Sequence, residues 1–383
     1  MSMTSRDRHL ATMLFGAHDR IPLIPGNGRK STRTRWYQEG LPQDCTNIPV
    51  EAYRQAGGNL DLGQSLQTLV LPERMMPIFE EKVLEVRADS QVVQDWKGNV
   101  CEIGKEFTIE HLRNPVDFVT RRWIKCPVES RADWEDMQAR YKIDEPGRFT
   151  PKLFAEMEGL KNRTHYLKFD VSGPFWILRE WLGFENMCML FIENPEWVKE
   201  MVFFWQEYIA QILTRSLSYV IPDEFHLSED MAYKAHPMIG PDMTREFLLP
   251  CYRRWGDIIR KAGVPVYGVD SDGCVVDLIP VWKEAGVNMV DPMEVAAHND
   301  LNAIRKEHGR SMAYRGGIDK RAMAKGGQAI VDEIRRLEPV IKGGGFIPSC
   351  DHGVPSDVSW PDYVRYTGLL AEVTGWLNPG TTK

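Results

Sequence analysis

The chain has 383 residues, of which 43% are hydrophobic and 26% charged, so it is long and apolar enough to bury a large core. Its net charge of −7 disfavours a phosphate backbone as partner, and no nucleic-acid role is expected. No apolar run reaches the roughly 18 residues of a membrane span, and seven scattered cysteines without a CxxC pair predict free thiols in a reducing cytoplasm rather than a disulfide frame or zinc ribbon.

The N-terminal segment carries charges on both sides of a very short apolar stretch, a pattern unlike a signal peptide. "DRHLATMLFG" has helical spacing, and "IPLIPG" reads as a short strand. From about residue 70 to 125 the texture changes. "KVLEVRADSQVVQDWKGNVCEIGKEFTIEHL" alternates apolar and polar residues around a "KGN" turn, which predicts a small antiparallel β insertion in the N-terminal third.

Beyond that, short apolar runs alternate with amphipathic segments: "HYLKFDVSGP", "DEFHLSED", "VPVYGVDSDG", "VNMVDP", "MAYRGGID" and "GFIPSCDHG" are each preceded or followed by helical spacing. That is the pattern of repeated βα units and a parallel sheet. Several runs end in a polar or glycine cluster, at Asp170, Glu229, Asp270, Asp291, Gly316-Gly317 and Cys350. A (β/α)8 TIM barrel in the α/β class, spanning 1–383 as one domain with its site on the C-terminal rim, accounts for this better than an open nucleotide-binding sheet. No GxGxxG follows a strand, and no P-loop is present.

"DRIPLIPGNGR", "VSGPFWILREWLG" and "GGGFIPSCDHGVPSDV", in this order across nearly the whole chain, resemble the uroporphyrinogen decarboxylase superfamily, which includes corrinoid-dependent methyltransferases. The resemblance implies the same barrel, and a homodimer. It also implies a choice of chemistries. The superfamily's decarboxylases carry a Met-Arg-Gln-Ala-Gly-Arg-Tyr block, where this chain reads "PGNGRKSTRTRW". Its thiol-directed methyltransferases hold zinc with His-x-Cys and a later Cys, where this chain has Asp270-x-Asp272 and His352.

Asp270, Asp272 and His352 are therefore candidate ligands for Zn2+ or another divalent metal, and with Glu229 they are the candidate catalytic groups. Competing roles remain for each: Asp272 as cap of the next helix, Asp270 or Glu229 as partner of a basic residue, His352 as a turn histidine. Arg29 and Arg33 suit a carboxylate or phenolate substrate, and Trp36, Trp176 and Tyr314 are candidate pocket walls. Gly316 and Gly317 are expected to permit a close backbone approach. Asp319 reads as a helix cap. The expected activity is transfer of a methyl group from a methoxylated or N-methylated small molecule to the cobalt of a corrinoid protein; the alternative is decarboxylation of a polycarboxylate.

Overall fold

The computed structural model describes residues 3–113 and 119–382. In chain order its strands are β1 (Leu66–Val70), β2 (Lys82–Val86), β3 (Ser90–Gln94), β4 (Val100–Gly104), β5 (Arg121–Lys125), β6 (Tyr166–Ser172), β7 (Glu224–Ser228), β8 (Val266–Asp270), β9 (Met289–Asp291), β10 (Ala313–Ile318) and β11 (Phe346–Cys350). Seven of them form an all-parallel sheet in the order β1-β6-β7-β8-β9-β10-β11. Helices such as Pro195–Leu217, Leu249–Ala262 and Gln328–Lys342 lead into β7, β8 and β11, so the predicted βα alternation holds from β6 onward.

The sheet curls tightly. Strands β7 and β10 are three places apart, which in a flat sheet would separate them by about 14 Å. Yet Arg315 on β10 reaches Glu224 on β7 at 3.1 Å. The curl brings distant strands face to face around a common interior.

The expected strand "IPLIPG" lies beside β11 but is not a ladder strand. Cys350 donates its amide to the Pro25 carbonyl at 3.4 Å, and a single parallel bridge joins Gly28 to Val354. Pro22 and Pro25 supply no N–H, so a continuous ladder through this segment is chemically unavailable. Between it and β1 lies a cavity of about 480 Å³ lined by Pro22, Ile24, Ser65 and Leu66.

The N-terminal antiparallel insertion is present as a separate four-stranded sheet in the order β2-β3-β4-β5. It has its own small core of Val93, Cys101, Ile103 and Leu112. Residues 66–70, just before the expected insertion, instead supply a strand to the parallel sheet. Its polar Gln67 and Thr68 hide it from a search for apolar runs. Helix Ser5–Met13 crosses the N-terminal end of the curl, where His9 stacks on Tyr166 at 3.8 Å. All seven cysteines are free.

Candidate functional site

Residues paired across parallel strands point to the same face. The register therefore sends Lys168 and Asp170 of β6, Glu224 and His226 of β7, Gly268 and Asp270 of β8, and Asp291 of β9 to one side. Arg315 of β10 joins them there by its hydrogen bond to Asp291 at 2.8 Å. A curled parallel sheet normally fills its interior with branched apolar side chains. This one fills it with charge.

The charges are arranged in bonded sets. Arg315 contacts both Glu224 and Asp291. His226 lies between Asp170, 2.8 Å from Nδ1, and Asp291, 2.9 Å from Nε2. Burial and Lys168 favour a neutral ring, but Asp291 and the two hydrogen bonds outweigh them and push the His226 pKa up to about 9. The imidazolium thus donates from both nitrogens. Burial works against the Asp291 carboxylate as well, yet Arg315 and His226 hold its pKa well below the usual range.

Asp270 is the exception. Among the described residues no cation forms an ion pair with it. Burial, followed by repulsion from Asp291, raises its pKa well above the ordinary carboxylate value, and His226 offsets this only in part. Its surroundings thus favour the protonated carboxyl, the reverse of what Asp170 and Asp291 experience.

At the rim, β7 ends in a sharp bend at Asp230, whose backbone is left-handed at φ 44°. The bend lets the Asp230 carboxylate accept the Asp272 amide at 3.2 Å. Gly273 presses the loop after β8 onto this bend; a Cβ there would lie 2.4 Å from the Ala232 carbonyl oxygen. As a result Asp230, Asp270 and Asp272 can each place one oxygen within 4.8 Å of the others. Burial and Asp272 raise the Asp230 pKa. Asp272 is not a helix cap, because the next helix begins at Ile279.

His352 arrives from the turn after β11, and its Nε2 lies 3.2 Å from an Asp272 oxygen. Its Nδ1 accepts the Gly353 amide at 2.7 Å and faces the Arg29 guanidinium at 2.9 Å. Two donors at Nδ1 put the ring proton of a neutral imidazole on Nε2, aimed at Asp272. In that tautomer His352 donates to Asp272, and the carboxylates that come together beside it are Asp230, Asp270 and Asp272.

The other expected site residues fall in different places. Glu229 follows the inward-facing Ser228 and turns to the opposite face, fully buried. There it accepts the Trp176 amide at 3.0 Å and the Tyr252 hydroxyl, and a Cβ on Gly173 would collide with it. Burial pushes its pKa up to about 7. It thereby caps the first turn of helix Pro174–Leu182, on the face away from the aspartates. Arg29 reaches the site through His352, whereas Arg33 is exposed and bonds the Gly28 carbonyl.

Trp36 and Tyr314 are buried completely and offer a ligand no surface. Trp36 donates to the Val358 carbonyl and stacks on Tyr363, while Tyr314 points outward beside Arg305. Trp176 is half-buried beside Arg179, whose guanidinium lies 4.5 Å above its ring and also bonds the Asp230 carbonyl. As expected, Gly316 permits a close approach: a Cβ would sit 1.9 Å from the Pro292 carbonyl oxygen. Asp319 caps its helix, accepting the Arg321 amide.

Sequence reasoning missed Asp230 and the interior charges as site residues. A signal was there: Lys168/Asp170 and Glu224/His226 are charged pairs two apart inside apolar runs, which a strand must place on one face.

Comparison of folds gives a match over almost the whole molecule. A methyltransferase from Methanosarcina mazei superposes with a TM-score of 0.58 at 12% identity, covering 97% of this chain and 98% of its own. The likeness is one of overall fold, as the uroporphyrinogen decarboxylase resemblance of the sequence leads one to expect. A B12-independent methionine synthase from Shewanella sp. W3-18-1, in complex with selenomethionine, reaches a TM-score of 0.43 at 12% identity, over 93% of this chain and 97% of that one. No protein-family model and no curated protein matches the sequence.

The aspartate trio suits a hard divalent cation in its chemistry. All three donors are oxygens, Asp270 has no ion-pair partner among the described residues, and a cation would relieve the repulsion that helps raise Asp230 and Asp270.

Proposed function

We propose that the protein is a methyltransferase that takes a methyl group from a methoxylated or N-methylated small molecule and passes it to the cobalt of a corrinoid protein. The observation that carries this reading is the convergence of Asp230, Asp270 and Asp272, with His352 against them, at the C-terminal ends of the parallel strands. The end-to-end likeness to a methyltransferase supports it. The reading treats the segment 21–26 as the eighth stave of a (β/α)8 barrel, with the aspartates at its mouth.

An alkoxide, phenoxide or amide anion is a poor leaving group until it is protonated or bound to a Lewis acid. Asp270, whose burial favours the protonated form, is the proton source for that oxygen or nitrogen. Arg29 fixes the His352 ring, and His352 holds Asp272 in place. The bonded charges beneath them leave Asp270 without an ion-pair partner among the described residues. Asp230, Asp270 and Asp272 would hold a divalent ion, which when bound supplies Lewis-acid polarisation of the leaving atom in place of the Asp270 proton. The decarboxylase alternative has less support. In the arginine-rich segment that would hold a polycarboxylate, Arg33 bonds the Gly28 carbonyl and the neighbouring Arg35 pairs with Glu39.

The test is spectroscopic. Purified protein, a reduced corrinoid and a panel of methoxylated and N-methylated donors should produce methylcobalt absorbance with at least one donor. Asp270→Asn should slow it by about 100-fold while leaving the unfolding midpoint intact. No absorbance change with any donor would overturn the proposal.

A further inference from the structure

The antiparallel sheet roofs a second feature of the same rim. A cavity of about 310 Å³ lies where β1 and β6 end. Two of its lining residues, Val70 and Ser172, lie on the inward register of their strands, so its inner edge is shared with the mouth that holds the aspartates. Val70 is 64% exposed although it sits in a parallel sheet. Trp96 and Lys97, from the turn between β3 and β4, close the cavity from outside.

The roof is built to stay in position. The buried Asp95 accepts the amides of Lys97 and Asn99, both at 2.9 Å, and so shapes the turn. Lys97 is bonded to Glu180 on helix Pro174–Leu182. The Trp96 carbonyl accepts the Phe79 amide at 3.0 Å. At the cavity floor, Glu73 accepts the Ser172 amide and hydroxyl, at 3.0 and 2.6 Å.

The walls are aromatic, with Trp96 and Trp176 half-buried over the more deeply buried Trp181, Trp205 and Tyr141. A space near 310 Å³ is at the small end of ligand pockets and suits one substituted ring. Arg74 stacks its guanidinium 3.9 Å over Trp96 and makes no ion pair among the described residues, unlike Lys97 beside it. The carboxylate that acts on Arg74, Glu81, is itself bonded to Arg113, so a guanidinium without an ion-pair partner lines the aromatic slot and is matched by a flat ligand bearing a carboxylate or phenolate.

We propose that this cavity binds a monocyclic aromatic anion, with its ring between Trp96 and Trp176 and its negative group on Arg74. The antiparallel sheet then has a purpose: it supplies the outer wall of the binding site. The claim concerns binding and stands apart from methyl transfer; only the choice of a methoxylated probe rests on that reading.

Titration calorimetry on the full chain, without corrinoid, tests it. The probes are 4-methoxybenzoate, benzoate and uncharged methoxybenzene. Both carboxylates should bind with Kd below about 1 mM, and methoxybenzene about tenfold more weakly. Arg74→Gln should remove that tenfold difference, and Trp96→Ala should weaken every probe by about tenfold, whereas Trp96→Phe retains most of the affinity. Circular dichroism checks that each variant is folded. Absence of heat with 4-methoxybenzoate, or an Arg74→Gln variant that still prefers the carboxylates, overturns the proposal. Failure of the methylcobalt assay alone would leave a positive binding result standing.

Discussion

Glu229 directly follows β7 and Asp270 ends β8, and both have raised pKa values, yet they face opposite sides of the sheet. Only Asp270 looks into the curl. Glu229 is expected to act on stability. Its folded pKa of about 7 lies above the ordinary 4.5, so the folded state binds this proton more tightly than the unfolded chain. The resulting stabilisation is complete below pH 4.5 and is lost as pH rises through about 7. Glu229→Gln should flatten the unfolding midpoint across that window and keep activity within about threefold; a 100-fold loss of activity would return Glu229 to the chemistry. His226 titrates higher by the same logic. Its contribution is complete below 6.5 and lost as pH rises through about 9. His226→Gln should remove that slope and, by breaking two buried charge-assisted bonds, cost about 3–5 kcal/mol at pH 6 in urea unfolding. An unchanged slope would mean that the imidazolium is not the group titrating.

Loops, rather than strands, assemble the site from these residues. The close approach of Gly316, with φ 96°, to the Pro292 carbonyl holds the end of β10 against the loop after β9. Gly316→Ala puts a Cβ into a backbone oxygen and into a strained conformation, so a loss of about 3 kcal/mol or more is expected by denaturant titration. A loss under about 1 kcal/mol would show that this loop gives way easily. The strands from β6 to β11 were legible because each is a short apolar run between helical segments. Strand β1 was not, since a strand with one face open to the mouth carries Gln67 and Thr68. The segment 21–26 misled in the other direction. Its apolar residues read as a strand, but two prolines leave it too few donors for a ladder.

Over the whole molecule, the curl sets the balance of charge. Lys168, His226 and Arg315 answer Asp170, Glu224 and Asp291, which leaves the rim aspartates short of positive charge. If they bind a divalent ion, adding Mg2+, Mn2+ or Zn2+ at about 100 times its Kd should stabilise the fold by about 2.7 kcal/mol. A rise in thermal midpoint that disappears in Asp230→Asn would confirm the trio as ligands; no shift with any of the three ions would leave Asp270 as a proton donor alone. The sequence by itself determined the α/β class, the antiparallel insertion and the placing of acids at strand ends, because these follow from local periodicity and turn chemistry. Which acids meet was settled only by tertiary structure. His352 reaches Asp272 across 80 positions and Arg29 across 323, and Glu229 is turned away by the pleat of its own strand. Alternation along a strand reveals that neighbours face apart, but only the curl of the sheet says which face is the inside.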